Sequence, residues 1–388
     1  METPPPSPAP RGLRSSLGSV RTELWLVLAA VAGSFLVYLP FRGDMTAVYR
    51  VWDGPNYLTV ARTLYDVRPD NPLLAYVHET RYFLRHFPVY PLLIRLFSFV
   101  GWQQAMLLVP VASAALAAVL LFWLLRDHWK VPQPGWLALV FLFLPPRWLL
   151  YRSVGSSEAP FLALALGSLL LFEKGKVGRA SLLAALATLT RIPGLMFLPA
   201  FGVVLLQRRR WRDLPWLGLI PLPLLGYFWF CFTKTGNFFE YFAQHADKIS
   251  PPMPFGFVPT LFRAGWYHQV EFYILLALVY AVGTARLRGK WEVAFSYSAF
   301  MLLFHLFISV EDWSRYFLVF FPTALILGFH DLLSTREFKL IFPVFAGMSF
   351  VYAWGTIPIL PCPPEMYAHL MWNLGLWKEF LPYLPVPP

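Results

Sequence analysis

Apolar stretches long enough to cross a lipid bilayer recur along nearly the whole of this 388-residue chain, and no other feature narrows its fold so much. A hydrocarbon core about 30 Å thick takes about 20 helical residues to cross. Runs near 24–41, 103–125, 133–150, 157–172, 179–190, 193–206, 214–233, 270–285, 291–310, 316–333 and 339–357 predict an all-α polytopic membrane protein of about eleven spans. Only 14% of the residues are charged, against roughly a quarter in soluble domains, so too little polar surface exists to face water everywhere. Sixteen Trp and eighteen Tyr suit a protein with two water–lipid boundaries to anchor.

A net charge of +11 would point a soluble domain toward nucleic acid. Here the positive groups sit in short clusters between apolar runs: Arg126/Lys130, Lys174/Lys176/Arg179, 208–212, Arg286/Arg288/Lys290 and Arg336/Lys339. That is the positive-inside pattern, and no nucleic-acid partner is expected. Placing a disordered, Pro- and Ser-rich tail (1–23) in the cytoplasm puts all five clusters inside, provided that 87–100 does not cross. That segment holds two prolines and Arg95, and reads as a helix lying in or dipping into the outer interface. The run after the tail lacks a small-residue cleavage site and reads as an anchor, not a signal peptide. The transmembrane domain then covers 24–357, with a first outer loop at 42–102 and a second at 234–268. A Pro- and aromatic-rich tail follows at 358–388. The 179–206 region, interrupted by Arg191-Ile192-Pro193-Gly194, fits either two short helices meeting at a polar cavity or one long kinked helix. Cys231 and Cys362 form neither a disulfide framework nor a metal spacing.

Chemistry-bearing residues gather on the predicted outer side. After Asp53, the apolar positions Tyr57, Leu58, Ala61, Leu64 and Tyr65 recur at helical spacing. They predict an amphipathic helix flat on the outer membrane surface, with Thr59 and Arg62 toward water. Asp53 is either the N-cap of that helix, with Pro55 in its first turn, or a general base where loop meets membrane. His86 lies in an Arg- and aromatic-rich stretch that serves as an interfacial anchor or places an active-site histidine. His78-Glu79 lacks the second histidine of a zinc-protease helix, so no metal is expected. Polar insertions at 153–158, 190–191 and 311–316 bring Glu158, Arg191, Arg315 and Tyr316 to span ends, where a lipid head group would sit. Each arginine can bind phosphate through its planar fork or simply snorkel to the interface. P-loop, dinucleotide, Cys-x-x-Cys and nucleophile-elbow motifs are absent, and no cofactor is expected.

At these residues the chain resembles the PIG-V group of multi-span mannosyltransferases in the GT-C superfamily, as a prokaryotic-type member. The stretches that carry the likeness are Trp52-Asp53 with the 57–61 helix, Phe87-Pro88-Val89-Tyr90-Pro91-Leu92, Ser157-Glu158 with Pro160-Phe161, and Leu189-Thr190-Arg191 closing at Gly194. Lys174-Gly175-Lys176 falls where the family has a short basic turn, and Arg315-Tyr316 precedes an aromatic span. The sequence departs from the eukaryotic pattern at Ile192-Pro193. The resemblance implies a GT-C-like bundle and inverting transfer of a sugar, mannose by analogy, from a polyprenyl- or dolichyl-phosphate carrier to an acceptor hydroxyl on a glycan or glycolipid. It implies Asp53 as base, Arg191 and Arg315 as ligands of the donor phosphate, and Trp52, His86, Glu158 and Tyr316 as substrate-orienting groups. The expected location is a prokaryotic plasma membrane with the site facing outward, or the ER membrane in a eukaryote, with membrane lipids around it.

The rival from another class is a secondary transporter or lipid flippase, which would also carry a broken helix and buried charges. A cavity beside Asp53 at the outer face favours a transferase; one alternating across the midplane favours a transporter. Protein O-mannosyltransferases and lipid-A-type sugar transferases share the GT-C plan but carry paired acidic residues in the first loop or a large outer domain. Here Asp53 stands alone at the head of its helix.

Overall fold

The computed structural model describes residues 13–51, 53–246, 254–310, 312–359 and 362–379, so Trp52 and Glu311 lie outside the described residues. The chain is an all-α polytopic membrane bundle. Helix α1 (Leu13–Tyr38) begins inside the expected tail. A short polar excursion follows, with α2 (Gly54–Thr63) and α3 (Val89–Leu96). Then come α4 (Trp102–Trp123), α5 (Pro134–Phe143), α6 (Pro146–Tyr151), α7 (Glu158–Glu173), α8 (Val177–Thr188), α9 (Phe197–Gln207) and α10 (Leu222–Thr235). The second half adds α11 (Glu240–Ala243), α12 (Tyr267–Ala285), α13 (Glu292–Leu306), α14 (Trp313–Tyr316), α15 (Arg336–Thr356) and α16 (Pro364–Asn373). Among the described residues, five helical segments are long and apolar enough to cross a membrane: Val20–Phe41, Trp102–His128, Trp211–Thr235, Tyr267–Ala285 and Arg336–Ile359. The remaining apolar helices, among them α5, α8 and α13, are shorter.

Helix α4 is the axis of the bundle. It packs along α1 and α7, and α7 packs in turn on α8. Small residues permit this close approach: Ala114, Ala117 and Ala118 on α4 and Ala159, Ala165 and Gly167 on α7 are buried. Without a hydrophobic drive between helices in lipid, such small faces maximise dispersion contact. By contrast α15 and α12 turn large apolar side chains outward, with Leu340, Val344, Val351 and Leu275 all exposed. That is the surface a lipid phase would cover.

The 133–150 run forms not one span but two helices. Pro145 and Pro146 carry no N–H, and Leu144 before them is driven into extended backbone (φ −130°, ψ 144°). The break leaves the Leu142 carbonyl without the donor that residue 146 would supply. Arg152 replaces it: its Nε donates to Leu142 O at 3.0 Å, and its Nη1 to Ala30 O at 2.8 Å and Ser34 Oγ at 3.0 Å. A fully buried guanidinium thus stitches α1 to the break.

The first outer loop also differs from expectation. Residues Gly54 to Ala61 of α2 are buried, and Thr59 is enclosed and donates to the Pro55 carbonyl instead of facing water. Only Arg62 of the two expected polar residues reaches the surface. Helix α2 is therefore a core element under the loop, not a surface float. It packs on α3, where Arg95 Nη1 donates to Ala61 O at 3.1 Å. Helix α3 exposes Leu92 and Leu96, as an interfacial helix should. The expected C-terminal tail forms α16, which buries Tyr367, Leu370 and Met371. It anchors to α4 through Tyr367 OH to Gln103 Oε1 (2.9 Å), and the residues flanking it hold the first loop through Arg62 Nε to Leu374 O (3.1 Å) and Cys362 N to Arg50 O (3.0 Å).

Candidate functional site

Three segment ends meet beneath the polar loop at 42–102, where α14 brings Arg315 to them. The first is the head of α2. Asp53 occupies the N-cap position, but its side chain makes no capping bond. It accepts instead from Arg315 Nη2 at 3.2 Å. The capping reading therefore fails at the side chain, although the Asp53 carbonyl still receives the Tyr57 amide at 2.9 Å. The second is the head of α7, drawn close because Gly155 lies against α2. A Cβ on Gly155 would sit 2.8 Å from the Gly54 Cα. The third is the junction of α8 and α9, where the chain is two helices and not one kinked helix. Arg191 is extended (φ −154°, ψ 136°) and a tight helical turn over Ile192–Met196 leads into α9. Gly194 makes that turn possible, since a Cβ there would meet Thr188 N at 2.4 Å.

The charged groups form one chain. Arg315 spans Asp53 and Glu158, its Nε donating to Glu158 Oε1 at 2.5 Å. Arg191 Nη1 donates to the same Oε1 at 3.0 Å and to Ser157 Oγ at 3.0 Å. Tyr57, one turn after Asp53, donates to Ser157 Oγ at 2.9 Å. Aromatic faces back the cations, with Tyr316 5.5 Å from the Arg191 guanidinium and Tyr151 4.5 Å from that of Arg315. Glu158 is fully buried, and its two arginines make that tolerable: an unpaired carboxylate there would cost several kcal/mol, on the order of 3–5.

A cavity of about 710 Å³ opens over this chain. Asp53, His86, Arg191, Arg315 and Tyr316 all line it. Glu158 does not; it stands behind both arginines. Trp52 lies outside the described residues. Tyr57, Tyr82, Arg85 and Asp312 join the lining, and the remaining wall is largely apolar, with Phe304, Phe307 and Ile308 at the end of α13. Sequence reasoning assigned Tyr57 to a lipid-facing stripe. Its i+4 spacing from Asp53 was the signal that it shares that residue's face. Asp312 was noted only as part of a polar insertion.

Electrostatically the site is polarised. Burial, the largest single influence, raises the Asp53 pKa, but the charge and hydrogen bond of Arg315 together with the nearby His86 and Arg191 outweigh it and hold the carboxylate below its usual range. The Asp53 side chain keeps 31% exposure, toward the cavity. His86 is pushed down to about 4, chiefly by burial, so its imidazole is neutral at ordinary pH. Its ring stands edge-on to Tyr57 at 4.8 Å. Three buried polar atoms here lack a hydrogen-bond partner: His86 Nδ1, Glu158 Oε2 and Arg191 Nε. His86 and Arg191 line the cavity, and unmet polar groups on the wall of a concave, partly charged cavity are what a polar ligand recruits. Among the described residues no group of three or more His, Cys, Asp or Glu side chains could hold a metal ion.

No family model matches the chain, and no curated protein does. The fold is similar to that in the crystal structure of ArnT from Cupriavidus metallidurans bound to undecaprenyl phosphate. The TM-score is 0.56 at 14% identity, over 92% of this chain and 70% of that one. At that identity the likeness is one of fold.

Proposed function

We propose that the chain is an inverting glycosyltransferase of GT-C type, PIG-V-like in its motifs. In this reading it moves a sugar, mannose by analogy, from a polyprenyl- or dolichyl-phosphate carrier to a hydroxyl of a glycan or glycolipid. The observation that carries the reading is a carboxylate, Asp53, and two guanidiniums, Arg191 and Arg315, on the wall of one cavity. The fold likeness supports it too, because the similar structure holds a polyprenyl phosphate. In this reading the first loop lies on the non-cytoplasmic side, so the cavity opens at the outer face of a plasma membrane, or in the ER lumen of a eukaryote.

The acceptor oxygen attacks the anomeric carbon as the bond to phosphate breaks. The bonding electron pair leaves on the carrier phosphate, and the hydroxyl proton passes to Asp53. Phosphate is a good leaving group, so no general acid is required. Arg191 and Arg315 offset the charge that stays on it. Glu158 is a positioning residue that holds both arginines at one point. Arg315 also links donor to base. A donor phosphate competing for its Nη2 draws it from Asp53, and the carboxylate becomes a stronger proton acceptor only when donor is present. His86, neutral, offers a hydrogen bond to a hydroxyl, and Tyr316 backs Arg191.

The test is purified protein in lipid nanodiscs with polyprenyl-phosphate-mannose and candidate acceptors, followed for free polyprenyl phosphate. Asp53→Asn keeps shape and membrane insertion and is expected to lower transfer by about 10²–10⁴-fold. Turnover at the normal rate in that variant removes the base assignment.

A further inference from the structure

A second carboxylate faces the same cavity, and the transfer chemistry leaves it unused. Asp312 is three residues before Arg315 and lines the cavity wall, with 22% of its side chain exposed. It pairs with Arg147, which the Pro145–Pro146 break delivers at the head of α6. Tyr151, one turn further along α6, donates its hydroxyl to Asp312 Oδ2 at 3.2 Å while its ring faces the Arg315 guanidinium. Asp312 and Arg315 are thus held side by side through one tyrosine.

We propose that Asp312, oriented by Arg147 and Tyr151, is the subsite that binds hydroxyl groups of the donor's sugar ring. The inference rests on the transferase reading and adds how the sugar itself is recognised. A carboxylate has about four lone-pair sites. Tyr151 engages one on Oδ2 and Arg147 forms an ion pair at Oδ1, and the cavity-facing side can accept more. An anionic acceptor repels the carrier phosphate but takes neutral O–H donors in charge-assisted hydrogen bonds, and a hexose offers such donors on adjacent carbons. The ring joined to a phosphate on Arg315 lies within reach of the residue beside it. Asp53, bonded to Arg315 Nη2, is left to the acceptor. Two carboxylates flanking one phosphate-binding arginine therefore divide the work, one taking the proton and the other reading the sugar.

The test is binding and needs no acceptor. Protein in nanodiscs is titrated with polyprenyl-phosphate-mannose, with its monodeoxy analogues and with bare polyprenyl phosphate. Wild type should bind the mannosyl lipid about tenfold or more tighter than the bare lipid, and at least one deoxy analogue should lose most of that margin. Asp312→Asn should erase the margin and the discrimination among deoxy analogues, with bare-lipid affinity unchanged. An Asp312→Asn protein that still prefers the mannosyl lipid overturns the proposal, as does one that loses bare-lipid binding equally. Because Asp312→Asn can disturb the Arg147 pair, the wild-type deoxy series stands as an independent arm, and equal affinity across it also refutes the subsite. Failure of the wild type to bind either lipid is a different result: it removes the transferase reading itself.

Discussion

Asp53 could cap a helix or face a ligand, and at the level of single residues its neighbours decide which. Arg315 takes its carboxylate away from the backbone, and that guanidinium together with His86 and Arg191 holds it below the ordinary carboxylate range against the larger single pull of burial. Burial is the main reason that His86 lies near 4. Above about 4 the imidazole is neutral and Asp53 is charged, so neither changes state near neutrality. The acid limb of kcat/KM for transfer should therefore fall below about pH 5, with a flat profile from there to about 8. A limb centred near 6.5, the unperturbed histidine value, would mean that His86 is open to water and essential as the free base. Glu158 makes a prediction of another kind. Glu158→Ala removes the carboxylate that two buried guanidiniums share and should lower unfolding stability by about 3–5 kcal/mol. Thermal unfolding in detergent measures this, and an unchanged Tm would show that the arginines find other partners.

Among the elements, helix ends do most of the placing. Arg191 is at cavity depth because α8 stops and the chain turns sharply before α9. Gly194 permits that turn by touching the Thr188 backbone. Gly194→Ala should leave expression in the membrane intact but lower transfer at least about tenfold, since a displaced ligand of the transition state loses more rate than the fold loses stability. Gly202→Ala, in α9, is the matched control. Its Cβ would meet only Leu217 Cδ1 at 3.7 Å, an ordinary contact, and its rate should stay within about twofold of wild type. Equal effects at the two glycines would show that the turn does not govern the arginine. The Pro145–Pro146 break follows the same logic, because it ends α5 and lets α6 carry Arg147, Tyr151 and Arg152 into the interior.

For the molecule as a whole, the first outer loop is held between the bundle below and α16 above, which gives the cavity a firm floor. Its side of the membrane is a separate, measurable matter. With Cys231 and Cys362 replaced by serine, a cysteine at Asp70, which is exposed in the first loop, should react with a membrane-impermeant maleimide added to intact cells. One at Arg288, exposed in a basic cluster, should react only after permeabilisation. The reverse pattern would place Asp53 on the cytoplasmic side and end the proposal of an outward-facing transferase.

The sequence by itself determined the class of solvent and the class of fold. Long apolar runs leave backbone amides no partner but their own helix; the Arg-Ile-Pro-Gly stretch marks an interruption without choosing a break over a kink, and the 133–150 run reads as one span despite Pro145 and Pro146. It also offered Asp53, His86, Arg191 and Arg315, because polar residues at the ends of apolar runs are costly and therefore few. Its periodicity misplaced α2: an amphipathic stripe says that one face is apolar, not whether lipid or protein covers it, and Thr59 found its donor's partner within the helix. Only the tertiary structure could bring Asp53, Glu158 and Arg315 onto one hydrogen-bonded chain, since they lie 262 positions apart at the extremes. The same holds for the enclosure of His86, the burial of Glu158 behind two arginines and the seating of Asp312 by Arg147. Those properties arise from charges and surfaces meeting in space, and no local pattern in a chain encodes the distance between its distant parts.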